Sequence, residues 1–149
     1  MVLVGEPDPG NPNTVSQDTI NQWIHEGVVE CWGFSANINL TIAESNIMVL
    51  PSYREGLPKS LLEAAACGRA VITTDVPGCR DAIEENVTGL LVPVKDHILL
   101  AEAIKSLCND DARRYAMGIA GRQLALQEFD IQKVVARHLQ IYQGLENQN

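Results

Sequence analysis

The stretch "PSYREGLPKSLLEAAACG", Pro51 to Gly68, contains the transition that decides the fold. It follows the apolar run "NIMVL", which is typical of a buried strand, and passes through Gly-Leu-Pro into an alanine-rich helical pattern. Pro58 suits the first helical turn, because its fixed φ matches a helix and no N–H is needed there. Strand, short loop and helix in this order predict one unit of a parallel α/β sheet.

The start of this helix is predicted to attract anions. The backbone N–H groups of Lys59, Ser60 and Leu61, with that of Leu57, are predicted to be unpaired and to lie at the positive end of the helix dipole. Such a terminus binds phosphate or carboxylate. Gly56 has no side chain, so a ligand can approach the backbone closely there.

Two glutamates flank this anion-binding turn. Glu55 lies in the loop and Glu63 lies about one and a half turns into the helix. Carboxylates accept hydrogen bonds from hydroxyl groups, so the pattern fits a ligand with a phosphate between two hydroxyl-bearing ends, such as a nucleotide sugar. The alternative is that Glu55 only stabilises the helix dipole and that Glu63 is a solvated surface residue.

The rest of the chain repeats the alternation of strand and helix. Apolar strand-like segments occupy 2–5, 28–33, 46–51, 70–75 and 89–93. Helical patterns occupy 16–27, 39–46 and 58–67, and three more follow at 96–110, 111–129 and 130–145. This order predicts a Rossmann-like, three-layer α/β/α fold with one parallel sheet and trailing C-terminal helices, in a single domain over residues 1–149.

The last helical pattern carries an apolar stripe of Ile131, Val134, Val135, Leu139 and Tyr142. Such a stripe usually packs into a core, and a partner-facing role is the alternative.

Composition and charge exclude several functions. The 149 residues carry a formal net charge of -8, which repels a nucleic-acid backbone, so no nucleic-acid partner is expected. No apolar run approaches the ~20 residues that cross a bilayer, and the start lacks a signal-peptide pattern, so we expect a cytoplasmic location. The four cysteines have no C-x-x-C spacing and are expected to be buried thiols.

No metal or cofactor is expected. The three histidines lie in helical patterns without partners at metal-ligand spacing. The loop "GEPDPG" after the first strand does not match G-x-G-x-x-G, and there is no P-loop sequence. Ligands of open α/β sheets bind at the carboxyl ends of strands, which here are the loops 5–13, 34–35, 52–58 and 75–78 and the turn after Val92.

These residues resemble the carboxyl-terminal domain of group 1 (family 4) glycosyltransferases of the GT-B fold. The resemblance runs through "LVGE", "WGF", "VLPSYREGLPKSLLEAAACG", "AVITTDVPGCRDAI", "NVTGLLVP" and "RYAMGIAGRQ", which is nearly the whole chain. The central segment looks most like bacterial enzymes that build surface polysaccharides on lipid carriers.

The resemblance implies a role for each matching residue. Glu55 matches the first glutamate of the family's E-x7-E motif, against the hydroxyls of the donor sugar, and is the candidate catalytic residue. Glu63 matches the second glutamate, which binds the ribose. Gly56 and Leu57 match positions whose backbone approaches the sugar and diphosphate. Phe34 matches a position beside the nucleobase.

The resemblance further implies retaining transfer from a UDP- or GDP-sugar to a lipid-linked or glycan acceptor, in polysaccharide or glycolipid biosynthesis. The chain lacks the acceptor-binding N-terminal domain of such enzymes, so we expect no transfer by the chain alone. In the full-length enzyme we expect a position at the inner face of the membrane.

The domain also looks truncated at its N-terminus. The family places a central strand and a basic "GR…KG" segment before the first strand seen here. Without that strand, the strands at Val2 and Ile47 are expected to have unpaired inner edges, or to pair with each other or with a second copy of the chain. The alternative function is a non-catalytic α/β interaction module.

Overall fold

The computed structural model describes residues 1–8, 10–11 and 14–146, with the side chains of 145 and 146 excepted. The predicted ligand loop at 5–13 therefore lies partly outside the described residues. All five predicted strands are present, and the helices at both ends of the chain occur where the sequence patterns place them.

The strands are β1 (Val2–Val4), β2 (Glu30–Gly33), β3 (Ile47–Leu50), β4 (Ala70–Thr74) and β5 (Gly89–Val92). The helices are α1 (Gln17–His25), α2 (Ile38–Glu44), α3 (Lys59–Ala66), α4 (Pro77–Ala82), α5 (His97–Cys108), α6 (Asp111–Glu128) and α7 (Ile131–Glu146). No helix in the described part of the chain is both long and apolar enough to cross a membrane.

The chain divides into two compact units, 1–41 and 42–149. In the first unit, β1 pairs in parallel with β2, and α1 connects them. Ser16 caps α1 by accepting a hydrogen bond from the Thr19 N–H at 3.2 Å. Val29 is the one buried apolar residue among the described positions of this unit, so its core is small.

The second unit contains a parallel sheet in the order β3-β4-β5. The central strand β4 is buried at all five positions, because sheet neighbours cover its edges and helices cover its faces. The main apolar core cluster of this unit consists of Ala70, Ile72, Val92, Leu107 and Met117. Met117 comes from α6 and Leu107 from α5, so two of the three trailing helices contribute to this core.

The strands form two sheets rather than the single sheet that we predicted. Within the described residues, β1 is paired along one edge only, and so is β3.

Two further predictions about the helices are wrong. The segment "DVPG" was expected to be a loop, but Pro77 opens α4 one residue after Val76, in the first-turn position that proline favours. The apolar stripe of α7 was expected to pack, but every one of its five residues is exposed, from 39% at Val134 to 69% at Ile131.

Cationic side chains hold the ends of four helices in the structure. Arg69 donates a hydrogen bond to Ala43 O, at the end of α2, at 2.8 Å. Arg122 donates to Ala66 O, at the end of α3, at 2.7 Å, and Arg114 donates to Leu107 O, at the end of α5, at 2.7 Å. Lys133 donates to Gln127 O, at the end of α6. Each cation satisfies a carbonyl without a helical partner at the negative end of a helix dipole.

Candidate functional site

The loop between β3 and α3 contains the turn for which anion binding was predicted. Pro58 is the N-cap of α3, with φ -71° and ψ 112°, and no side chain caps the helix. The N–H groups of Lys59 and Ser60 donate to no acceptor in the described part of the chain. Leu61 was expected to have a free N–H as well, but it donates to Pro58 O at 3.0 Å.

Space for a ligand exists at this turn. A Cβ built on Gly56 would meet no atom within 4 Å, and Leu57 is exposed. Two donors at the positive end of a dipole, next to open space, can bind a phosphate. Gly56, Leu57, Lys59 and Ser60 are thus placed together, as the sequence pattern predicts.

The two glutamates differ in their surroundings. Glu55 is half-buried in the loop, while Glu63 lies on the second turn of α3 with its side chain 21% exposed. Lys59 Nζ lies 3.3 Å from Glu63 Oε1, and the Lys59 side chain is 87% exposed. An exposed pair with lysine on the N-terminal side is weak, so a ligand hydroxyl can compete for the Glu63 carboxylate.

Phe34 lies in the first unit, directly after β2, and its ring is 76% exposed. Ser35, the next residue, shares a hydrogen bond of 2.7 Å with Thr41. Exposure of a large aromatic ring at the carboxyl end of a strand fits a stacking position for a base, as the resemblance implies.

Sequence reasoning missed an ion pair at the carboxyl end of β4. Arg80 on α4 contacts the carboxylate of Asp75, and its hydrogen bond holds the pKa of that carboxyl below its usual range, with a smaller coulombic contribution. Because we did not predict α4, we did not place Arg80 within reach of this edge. The sequence signal for α4 was Pro77, because proline favours the first turn of a helix.

Sequence reasoning also missed a contact between Tyr53 and Lys95. Lys95 Nζ lies 5.6 Å from the centre of the Tyr53 ring, within cation–π range. Lys95 follows β5 in a turn with φ 63°, a conformation uncommon for lysine. This contact joins the loop after β3 to the turn after β5, at the carboxyl edge of the sheet.

A cavity of about 410 Å³ lies at the opposite edge of the sheet, lined by Asn46, Gly68, Arg69, Asp111, Ala112, Arg114 and Tyr115. Its two arginines are already bonded to the ends of α2 and α5, as described above. The Arg69 Nε is buried without a partner. We assign this cavity a structural role. No group of three potential metal ligands occurs among the described residues.

A Rossmann-like α/β domain with a candidate anion-binding loop at the carboxyl edge of its sheet is the class that fold and site define. The chain belongs to the family Glycosyl transferases group 1, whose profile matches residues 1–110. This confirms the family predicted from the loop and its flanking motifs.

Two curated relatives illustrate the family. The chain is 37% identical over 142 residues to N,N'-diacetylbacillosaminyl-diphospho-undecaprenol alpha-1,3-N-acetylgalactosaminyltransferase of Campylobacter jejuni, covering 95% of this chain and 36% of that protein. It is 37% identical over 87 residues to the capsular polysaccharide biosynthesis glycosyltransferase CapM of Staphylococcus aureus, covering 58% of this chain and 23% of CapM. The chain therefore spans well under half the length of these relatives.

Solved structures confirm the predicted fold class. Sucrose-phosphate synthase of Thermosynechococcus elongatus matches with a TM-score of 0.86 and 29% identity, over 99% of this chain and 39% of that one. Anabaena HepE in complex with UDP matches with a TM-score of 0.82 and 25% identity, over 98% of this chain and 40% of that one.

Proposed function

We propose that this chain is the donor-binding domain of a retaining glycosyltransferase that uses a nucleotide-diphosphate sugar. The observation that carries the proposal is the uncapped start of α3, where two free N–H groups lie between Glu55 and Glu63. The domain is assigned to polysaccharide or glycolipid biosynthesis, in the cytoplasm and, in a full-length enzyme, at the inner face of the membrane.

Each site residue has a part in this proposal. The N–H groups of Lys59 and Ser60 bind the diphosphate, and Gly56 and Leu57 let it approach the backbone. Glu55 accepts hydrogen bonds from the sugar, and Glu63 accepts them from the ribose. Phe34 stacks on the base. HepE is solved with UDP and with UDP-glucose, which supports a donor of this chemical class.

Transfer also needs an acceptor site, which we assign to a second, N-terminal domain that binds a lipid-linked or glycan acceptor. We therefore expect the 149 residues alone to bind nucleotide weakly and to transfer no sugar. The relatives' much greater length supports this division of roles.

Substitution of the two glutamates tests the proposal by calorimetric titration with UDP and UDP-sugars. Glu55→Gln should weaken binding of the UDP-sugar by about tenfold or more and leave UDP binding nearly unchanged, because a hydrogen bond to a charged group contributes ~1.5–3 kcal/mol. Glu63→Gln should weaken both ligands, since both contain the ribose.

Glu102→Gln, at an exposed position of α5, is the matched control and should bind as the wild type does. No binding of any UDP or GDP ligand by the wild-type chain, or equal losses in all three variants, would contradict the proposed function.

The second candidate is a non-catalytic interaction module. The exposed apolar stripe of α7 and the unpaired edges of β1 and β3 favour it. Concentration-dependent sedimentation together with no response to nucleotide would support this candidate over the first.

A further inference from the structure

The start of α4 packs against the backbone of the candidate donor loop. A Cβ built on Gly78 would lie 1.7 Å from Gly56 O and 2.6 Å from Glu55 O. These are backbone atoms, so a side chain at position 78 could be accommodated only if the loop moved. Gly78 is therefore required for close approach of two backbones, one of which carries Glu55.

Two buried threonines of β4 hydrogen-bond to the end of β3 and to the loop that follows it. Thr73 Oγ1 donates to Leu50 O at 2.8 Å, and Thr74 Oγ1 donates to Ser52 O. Cys79 Sγ lies 3.1 Å from Thr73 Oγ1, so α4 is bonded to this strand end as well. Both hydroxyls are almost completely buried, and such hydrogen bonds are costly to lose.

The loop has little else to fix its shape. Residues 51–57 make no backbone-to-backbone hydrogen bond within the described part of the chain. Their backbone is held by the Thr74 hydrogen bond at Ser52 and by the Gly78 contact at Glu55 and Gly56. These two contacts lie on either side of Tyr53 and Arg54 and directly precede the anion-binding turn.

We propose that Gly78 and Thr74 are positioning residues of the donor site. They set the position of the Glu55 carboxylate relative to the N–H groups of Lys59 and Ser60, and they do so through the loop backbone without binding the donor. This inference rests on the proposed function, because a donor must bind the loop for its position to matter. A misplacement of about 1 Å of a positioned group lowers the rate of an enzyme reaction by up to about a hundredfold.

The first test compares Gly78→Ala with Gly118→Ala. Gly118 is a matched control, because a Cβ there would lie 2.2 Å from Gly68 O, which is also too close for a side chain but is remote from the loop. In folded protein, checked by circular dichroism, Gly78→Ala should bind UDP-sugar roughly tenfold or more weakly. Gly118→Ala should bind as the wild type does. Equal binding by both variants, or equal losses, would overturn the proposal.

A second pair of variants keeps the test decisive if Gly78→Ala does not fold. Thr74→Val removes the hydroxyl at nearly constant volume and should weaken UDP-sugar binding, whereas Thr74→Ser retains the hydroxyl and should restore it. Wild-type affinity in folded Thr74→Val would contradict the positioning role.

Amide NMR spectra separate this inference from the proposed function. The signals of residues 55–60 should shift in Thr74→Val and Gly78→Ala without any ligand, and should stay in place in Gly118→Ala. If the wild type binds no nucleotide but these shifts occur, the donor function fails and loop positioning stands. If the signals stay in place in every variant, loop positioning fails.

Discussion

Asp75 and Arg80 form an ion pair at the carboxyl end of β4, and the effect of this pair on the pKa of Asp75 can be measured. The hydrogen bond from Arg80 lowers the pKa of Asp75 below the ordinary 3.8. A lowered folded-state pKa stabilises the folded protein above the unfolded value, and this stabilisation disappears as the pH falls through the folded value. The pair therefore contributes to stability at neutral pH and loses its contribution below about pH 3.8.

Replacing Arg80 should raise the pKa of Asp75 toward its ordinary value. We expect the Asp75 carboxyl carbon, followed by NMR during an acid titration, to titrate at higher pH in Arg80→Gln than in the wild type. Arg137→Gln, on the exposed helix α7, should leave the Asp75 titration unchanged. An unchanged Asp75 pKa in Arg80→Gln would show that the ion pair does not form in solution.

At this scale the sequence predicts residue types better than their partners. Lys59, Ser60 and Gly56 were identified from the Gly-Leu-Pro turn, because turn and cap chemistry is local. The Leu61 hydrogen bond to Pro58 was missed, since it joins residues three apart and tightens the first turn, a local distortion that the residue types do not encode. Gly78 was predicted only to lie in a loop. Its contact with Gly56 joins residues 22 positions apart, so no local sequence pattern encodes it.

Among the elements, α7 differs from the other helices because it is amphipathic but every side chain described for it is exposed. Its apolar stripe obeys the same spacing rule as a core helix, so periodicity predicts the helix but not what covers it. In contrast, α6 buries Met117, Gly118, Gly121 and Ala125. The pattern alone could not distinguish these two outcomes.

Removal of α7 should therefore cost little stability. We expect a chain ending at Asp130 to keep its circular dichroism signature at the level of the remaining helices and to melt within a few degrees of the full chain. The small loss comes from Lys133, which bonds carbonyls at the end of α6. A loss of cooperative melting would show that α7 is packed in solution.

A matched truncation provides the control. The apolar face of α6 contributes Met117 to the main core, so a chain ending before Asp111 should fail to melt cooperatively. Calorimetry of both shortened chains beside the full chain measures the difference.

Over the whole molecule, the two units differ in the size of their cores. Every residue of β4 is buried in the second unit, whereas the described positions of the first unit bury one apolar residue, Val29. The free energy of local opening follows buried apolar contact, so local opening should cost less free energy in the first unit than in the second.

Hydrogen exchange measured by NMR tests this difference. We expect the amides of β4 to exchange slowest, and those of β1 and β2 to exchange faster by at least about tenfold, which corresponds to ~1.4 kcal/mol of opening free energy. Equal protection of β1 and β4 would contradict the difference in stability between the two units.

The boundary of the family match has a consequence for expression of fragments. The recognised segment ends at residue 110, yet Arg122 holds Ala66 O and Gly118 packs against Gly68 from beyond that point. During synthesis on the ribosome, α6 therefore cannot cover the sheet until it has emerged, and β4 remains exposed to water until then. A cloned segment chosen by the family boundary alone would expose this strand and aggregate.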